Sequence, residues 1–220
     1  FLNGFTCQGI YSLNKSFISE IDDAIRFSKC FNNHKITAVI VDDYRFSNTW
    51  ERSISELNCK IIVIDDQNIN NHECHLLIDS TWEGKKTFNR YKNKILDSTH
   101  CLLGPKYLLI DEVFGYSKKI KHISLNKNIP IKILLSLGGG GDLKFLISLI
   151  QHLIDQLTAN LLYEISTIVG PYALNKEELM AFSQKHDNVR LILNQDGLFN
   201  EISDTDLYIG ASGGTLFEAL

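Results

Sequence analysis

The sequence has no long apolar run, no excess of positive charge and no ordered set of cysteines. No apolar stretch approaches the roughly 18 residues that a membrane-spanning helix needs, so no membrane partner is expected. Lys and Arg total 22 against 26 Asp and Glu, and this balance argues against nucleic-acid binding, which needs a basic surface. The five cysteines are odd in number and contain no Cys-x-x-Cys pair, which is typical of a reducing, cytoplasmic compartment.

Complete signatures for a metal, a dinucleotide or a P-loop are also missing. His72, Cys74 and His75 are residue types that bind zinc, but no second pair of ligands follows at a usable spacing. The glycine run 138–141 is not a dinucleotide fingerprint, because Leu143 stands where its third glycine belongs, and no Gly-Lys-Ser/Thr follows. We therefore predict no metal and no cofactor, and an NAD-dependent oxidoreductase is disfavoured.

Strands and helices alternate twice along the chain. The 220 residues, 44% of them hydrophobic, suffice for two domains of about 100–110 residues each. Apolar runs predict strands at 35–41, 60–64, 76–78, 131–137, 163–169, 189–193 and 206–209. Helical spacing predicts helices at 16–31, 48–57, 143–157, 175–186 and 198–203. Residues 80–107 read as irregular, with a short apolar stretch at 107–110. This alternation predicts an α/β fold with two Rossmann-like, doubly wound domains.

The predicted boundaries follow composition. Residues 1–115 form the first domain, the polar segment 116–129 is a linker, and residues 130–220 form the second domain. The chain begins without Met and stops at Phe217–Leu220, which reads as the first turn of an unfinished helix. Both domains are therefore expected to be incomplete at their outer ends.

A first glycine segment follows a predicted strand and precedes a helix. It runs Ser136-Leu137-Gly138-Gly139-Gly140-Gly141-Asp142. Consecutive glycines let backbone N–H groups approach a phosphate, since no Cβ stands in the way, and the helix N-terminus favours negative charge. The alternative is a tight turn in which Asp142 caps the helix.

A second glycine segment, Gly210–Glu218, follows the last predicted strand. Ser212 and Thr215 offer hydroxyl groups, Gly213 and Gly214 offer bare N–H groups, and Glu218 lies one turn further along. N–H and hydroxyl groups suit a diphosphate, and a carboxylate suits ribose hydroxyls. The alternative for Glu218 is a carboxylate that the positive end of a helix favours.

Carboxylates also follow two strands of the first half. Asp42, Asp43 and Tyr44 come after one strand, and Asp65 and Asp66 come after the next. Such carboxylates can act as general bases, accept sugar hydroxyls or bind Mg²⁺, whereas Asp is also common in turns. The sequence alone does not single out a base among them.

An ordered set of motifs resembles the PseG/SpsG family of UDP-2,4-diacetamido-2,4,6-trideoxy-β-L-altropyranose hydrolases, which act in pseudaminic acid biosynthesis. The matching segments are Asp42–Tyr44 with Trp50-Glu51, Val63–Asp66, His72–Ile78, Leu103–Ile110 with Glu112–Phe114, Ser136–Asp142, Asn188–Leu191 and Asp206–Glu218. The N-acetylglucosamine transferase of peptidoglycan synthesis shares the glycine loops, but it lacks the Asp-Asp-Tyr and Leu-Gly-Pro-x-Tyr segments.

This resemblance implies a GT-B-like enzyme with a cleft between its domains. It implies metal-independent, inverting hydrolysis of a UDP-sugar at the anomeric carbon, with release of UDP. By the same resemblance Gly139, Gly140, Gly141 and Asp142 line the cleft, and the backbone of Val189, Arg190 and Leu191 meets the uracil. Ser212, Gly213, Gly214 and Thr215 meet the diphosphate, Glu218 meets the ribose, and Asp42, Asp43, Tyr44 and Tyr91 lie near the sugar, with Asp43 and Tyr44 as contributors to catalysis.

The sequence departs from the family in two places. The family's G-x-G-H-x-x-R-type loop, whose His is its key catalytic residue, is absent, so the catalytic residue stays unknown and the fragment is expected to be inactive. Asp111 stands where the family has Arg, and this reversal of charge leaves the exact substrate open. Two alternatives remain open: a GT-B glycosyltransferase that uses a UDP-sugar donor, and a non-catalytic module that binds nucleotide sugars.

Overall fold

The chain forms two compact units, Phe1–Leu109 (unit 1) and Ile110–Leu220 (unit 2). The structure is a computed structural model and describes residues 18–31, 34–115, 129–138, 140–157, 161–193, 197–211 and 213–219. Nearly all of the predicted linker 116–129 lies outside these residues. The predicted domain boundaries stay a prediction, as does the GT-B arrangement. Both units are α/β with parallel strands, as the sequence predicts, and their folds are Rossmann-like.

Unit 1 is a four-stranded parallel sheet in the order β1-β2-β3-β4. Its elements are α1 (Glu20–Phe31), β1 (Ala38–Val41), α2 (Asn48–Ser53), β2 (Lys60–Ile64), β3 (Leu76–Asp79) and β4 (His100–Leu103). Short 3₁₀ turns cover Ser55–Leu57, Gly84–Asn89 and Pro105–Tyr107. Because all four strands run in the same direction, their carboxyl ends share one edge of the sheet.

The core of unit 1 forms where alternate strand residues meet the helices. Ile61, Val63 and Leu77 point inward and pack with Trp50 of α2. The Trp50 indole N–H donates to Asp23 Oδ1 of α1 at 2.8 Å, so the polar atom of this buried ring has a partner. This bond and the ring's packing fix both helices against the sheet.

The fourth strand corrects the sequence-based assignment. Residues 80–107 were expected to be irregular, with an apolar stretch at 107–110, yet β4 lies at His100–Leu103. Only Cys101, Leu102 and Leu103 are apolar there, and they lie inside a polar segment, so no local pattern indicated a strand. The strand exists because it pairs in register with β3, from Leu76 with His100 to Asp79 with Leu103.

Unit 2 has a four-stranded parallel sheet in the order β10-β5-β7-β9 and a two-stranded pair, β6-β8. Its strands are β5 (Ile131–Ser136), β6 (Gly140–Asp142), β7 (Tyr163–Val169), β8 (Tyr172–Leu174), β9 (Val189–Leu193) and β10 (Leu207–Gly210). Its helices are α3 (Glu112–Gly115), α4 (Lys144–Gln156), α5 (Lys176–Ser183), α6 (Phe199–Ser203) and α7 (Gly214–Glu218). In chain order the sheet reads 3-2-1-4, as in a Rossmann fold, so the strand order reverses between β5 and β10.

The first glycine segment is not wholly a loop, contrary to the expectation for 138–141. Gly140–Asp142 pairs in parallel with Tyr172–Leu174, so this part of the backbone is engaged in a small sheet. The partner strand β8 follows β7 directly and is only three residues long, which left no local signal in the sequence. No helix among the described residues is long and apolar enough to span a bilayer.

Candidate functional site

The two glycine segments of unit 2 meet at the point where the strand order reverses. Ser136, the last residue of β5, is in register with Gly210, the last residue of β10. The Ala211 N–H donates to the Ser136 carbonyl at 3.0 Å, which holds the two strand ends together. In open parallel sheets, ligands bind beyond the carboxyl ends of the strands at this reversal. The structure therefore brings together two sets of residues that the sequence identified separately.

The glycines of the second segment differ in what the fold requires. A Cβ on Gly210 would lie 2.2 Å from Tyr208 Oη and 2.5 Å from the Ser136 carbonyl oxygen, so packing demands glycine there. No described atom lies within 4 Å of a Cβ built on Gly213 or Gly214. Gly213 has φ −111°, which any residue adopts. Neither packing nor the backbone at Gly213 explains glycine at that position.

Asp142 lies one residue before the N-cap of α4, which is Leu143, whereas the alternative interpretation of the sequence had Asp142 in that position. Its Oδ1 accepts the Lys144 N–H at 2.9 Å and the Asn175 side-chain amide at 2.6 Å. These two hydrogen bonds, the backbone bond first, hold the pKa of Asp142 below its ordinary value. A ligand role for Asp142 stays a prediction, and its carboxylate is already engaged at the start of the helix.

Glu218 is the last residue of α7, the short helix that follows β10. Burial, together with the charge of Asp111, raises the pKa of Glu218 above its ordinary value. Burial also raises the pKa of Tyr208, and the negative charge of Glu218 contributes. Thr215 lies in the first turn of α7, as does Gly214. Gly139 and Ser212, both predicted to contact the ligand, lie outside the described residues.

The predicted uracil segment does not join the two glycine segments. Val189 pairs with Ile165 and Arg190 with Ser166 in β9, which lies two strands away from β5. The Arg190 Nε lies 3.4 Å from Ser166 Oγ. Arg190 also lines a cavity of about 610 Å³ along one side of the sheet, together with Lys132, Glu164, Asn188 and Asn200. A role for Val189, Arg190 and Leu191 in binding uracil stays a prediction.

The carboxyl ends of β1 and β2 in unit 1 carry the predicted sugar-side residues. Asp43 binds the Arg45 guanidinium through both oxygens, and this hydrogen bonding holds the pKa of Asp43 below its ordinary value. Tyr44 is 48% exposed and donates its hydroxyl to Asp66 Oδ1 at 2.7 Å. That bond and burial raise the pKa of Tyr44 to about 12. Asp42 is exposed at the same edge.

A buried ionic group centred on His72 supports this edge. The His72 Nδ1 lies 2.7 Å from Glu51 Oε1, and its Nε2 lies 3.5 Å from Asp65 Oδ2. All three side chains are at least nine-tenths buried. Burial by itself lowers the pKa of His72, but the hydrogen bonds and charges of Asp65 and Glu51 outweigh it and raise that pKa to about 9. His72 is therefore a cation at neutral pH.

Asp65 connects this group to the loop after β2. Its carboxylate accepts the backbone N–H groups of Gln67 at 2.9 Å and Asn68 at 3.1 Å. Burial tends to raise the pKa of Asp65, but His72 and these N–H groups hold it at about 2. The charged carboxylate thus fixes the turn that carries Asp66.

Tyr91 and Arg90 extend the buried group towards β3. The Tyr91 hydroxyl lies 2.8 Å from the Asp65 carbonyl and 3.1 Å from Asp79 Oδ2, and the ring is only 2% exposed. Burial and the two carboxylates raise the pKa of Tyr91. Arg90 Nε lies 2.9 Å from Asp79 Oδ2, and its Nη2 donates to the Asp66 carbonyl at 2.8 Å. Tyr91 is therefore a buried residue that stabilises the loop after β2 through its hydroxyl, and its ring is not at the surface of the sugar-side edge.

The sequence missed this group because its members are widely separated along the chain. The sequence marked His72 as a zinc-binding residue type and as part of a segment of the family resemblance, and it did not pair His72 with Glu51 or Asp65. Among the described residues, no cluster of three or more His, Cys, Asp or Glu side chains is arranged to hold a metal ion. An acidic residue stands at the end of β2 and another at the end of β3, and these were the usable signal in the sequence. A local pattern of apolar residues does not show which distant His or Arg such an acidic residue contacts.

Comparison with known proteins gives two relatives. No known family profile matches the chain. The chain is 28% identical over 196 residues to an uncharacterized protein of Methanocaldococcus jannaschii, across 87% of the chain and 40% of that protein. It is 24% identical over 212 residues to the UDP-2,4-diacetamido-2,4,6-trideoxy-beta-L-altropyranose hydrolase of Campylobacter jejuni, across 96% of the chain and 70% of that enzyme. The chain is a distant relative of this hydrolase. It spans less than half the length of the archaeal protein.

Proposed function

We propose that this chain is the nucleotide-sugar-binding part of a UDP-sugar hydrolase. The observation that carries the proposal is the meeting of both glycine segments at the strand-order reversal of unit 2, where Ser136 and Gly210 end adjacent strands. Gly213 and Gly214 present backbone to open space there, as a bound diphosphate requires. The distant relationship to a hydrolase of a UDP-linked sugar supports the choice of UDP.

In this proposal the two units contribute different chemistry. Unit 2 binds UDP, with the backbone of Gly213 and Gly214 at the diphosphate and the Glu218 carboxylate at the ribose hydroxyls. Unit 1 contributes the sugar side, where Tyr44 and Asp66 form a hydrogen-bonded pair and Asp42 is exposed. The proposal includes the two-domain GT-B architecture and attack of water on the anomeric carbon with departure of UDP. It names no general base.

Calorimetric titration with UDP tests the nucleotide site. Gly213→Ala places a methyl group in the open space proposed for the diphosphate, so we expect UDP affinity to fall at least about tenfold while the fold stays intact. Gly115→Ala is the matched control, because a Cβ there also meets no described atom and Gly115 belongs to neither glycine segment. Glu218→Gln removes the negative charge that accepts hydrogen bonds from the ribose, and it is expected to lower the affinity for UDP by about five- to tenfold.

Two results would contradict the proposal. One is UDP binding that Gly213→Ala and Glu218→Gln leave unchanged, and the other is no UDP binding by the folded wild-type chain. Hydrolysis is tested separately. The full-length product of the gene is given a UDP-linked acetamido sugar with no acceptor present, and the release of UDP is measured. UDP release that requires an added acceptor would favour a glycosyltransferase.

A further inference from the structure

A tryptophan in unit 1 is held in place while its ring faces solvent. Trp82 follows β3 and is 60% exposed, whereas the chain's other tryptophan, Trp50, is 3% exposed. Its neighbours on both sides are anchored. The Thr81 N–H donates to Asp79 Oδ1 at 2.8 Å, and the Glu83 N–H donates to Thr87 Oγ1 at 2.8 Å.

The surroundings of Trp82 restrict the ring further. Arg90 binds the Glu83 carboxylate at 2.7 Å, which closes the turn that follows the indole. Gly104, after β4, lies beside the ring, since a Cβ there would be 3.8 Å from Trp82 Cε3. Phe88, itself 65% exposed, stands edge-on to Trp82 with ring centroids 6.4 Å apart. The fold therefore presents a fixed, exposed aromatic face.

Acceptors for hydrogen bonds lie along the same edge. The Thr81 hydroxyl contacts the Asp66 carbonyl at 3.4 Å, and Arg90 donates to the same carbonyl. The residue next to Trp82 thus touches the residue whose carboxylate holds the Tyr44 hydroxyl. An aromatic face and a solvent-exposed carboxylate on the loops after two paired strands match a pyranose ring, because one side of such a ring consists of C–H groups and its rim carries O–H or N–H donors.

We propose that Trp82 is the stacking platform for the sugar ring of the substrate, and that the Asp66 carboxylate accepts hydrogen bonds from the donors of that ring. This inference rests on the proposed function and deepens it, because it assigns the sugar contact to Trp82, which the resemblance did not name, together with Asp66. Trp82 contributes affinity through its ring face, so an aromatic replacement retains binding whereas Ala does not.

Acrylamide quenching of tryptophan fluorescence tests the platform in the full chain. The probes are the methyl glycosides of glucose, N-acetylglucosamine and 6-deoxygalactose. Because Trp50 is buried, quenching by acrylamide reports Trp82, and we expect at least one glycoside to protect it. In Trp82→Ala the affinity for that glycoside, followed by NMR, should fall at least about fivefold, and Trp82→Phe should keep most of it. Tyr172→Ala is the control, since Tyr172 is 82% exposed in unit 2.

The possible results separate this inference from the proposed function. Protection of Trp82 by no glycoside, or equal affinities of Trp82→Ala and wild type, would overturn the platform. Protection of Trp82 that grows with protein concentration in the absence of sugar would also overturn the platform, because it would show that a second copy of the chain covers the ring. UDP titration of Trp82→Ala should match wild type, so a failure of UDP binding with intact protection by sugar would refute the nucleotide site alone.

Discussion

Replacing His72 by Gln should remove a pH-dependent part of the stability of unit 1. His72 is buried between Glu51 and Asp65, and these carboxylates raise its pKa to about 9. Its ordinary pKa is near 6.5, and the difference corresponds to about 3 kcal/mol carried by the protonated form. Because the native state binds this proton more tightly than the unfolded state, the contribution is complete below pH 6.5 and is lost as pH rises through about 9.

Urea unfolding followed by tryptophan fluorescence measures this effect, because Trp50 and Trp82 both belong to unit 1. At pH 6 we expect His72→Gln to lower the free energy of unfolding by about 3 kcal/mol or more, since it leaves two buried carboxylates without their cation. The difference from wild type should shrink by about 3 kcal/mol between pH 6.5 and 9.5.

His100→Gln is the matched control, because His100 lies exposed in β4 of the same unit. Its difference from wild type should stay within about 0.5 kcal/mol at every pH. A stability difference between His72→Gln and wild type that does not change from pH 6 to 9.5 would mean that His72 is neutral in the folded protein. The ionic account of this group would then be wrong.

Two further predictions concern single contacts. Gly210→Ala should destabilise unit 2 by about 1–3 kcal/mol, because its Cβ would overlap Tyr208 Oη and the Ser136 carbonyl oxygen, whereas Gly213→Ala should change stability by less than about 0.5 kcal/mol. Thermal unfolding by circular dichroism measures both, and equal effects would contradict the packing argument. The pKa of Asp65 is held at about 2, against an ordinary value near 3.8, so its carboxylate stabilises unit 1 fully at pH values above 3.8. This contribution of about 2 kcal/mol is lost as the pH falls through about 2. The free energy of unfolding of Asp65→Asn, measured by urea titration with tryptophan fluorescence, should therefore fall less steeply with decreasing pH than that of the wild type. An equally steep fall would contradict the low pKa assigned to Asp65.

The local pattern predicted much of the fold. Apolar runs located β2, β7 and β9 at their observed bounds, because long β-branched segments are strands in most contexts. Prediction from the local pattern failed for β4, β6 and β8, which have three or four residues each. These strands are defined by their pairing with segments elsewhere in the chain, which a local pattern does not show.

Sequence alone determined which residue types follow the strands: glycines after β5 and β10, and carboxylates after β1 and β2. Only the tertiary structure decided which of them meet. The 3-2-1-4 strand order brings Ser136 beside Gly210, and the packing of α2 against the sheet places Glu51 next to His72. Burial then changes the pKa values of these neighbouring groups, because a cation and carboxylates that are removed from water interact strongly.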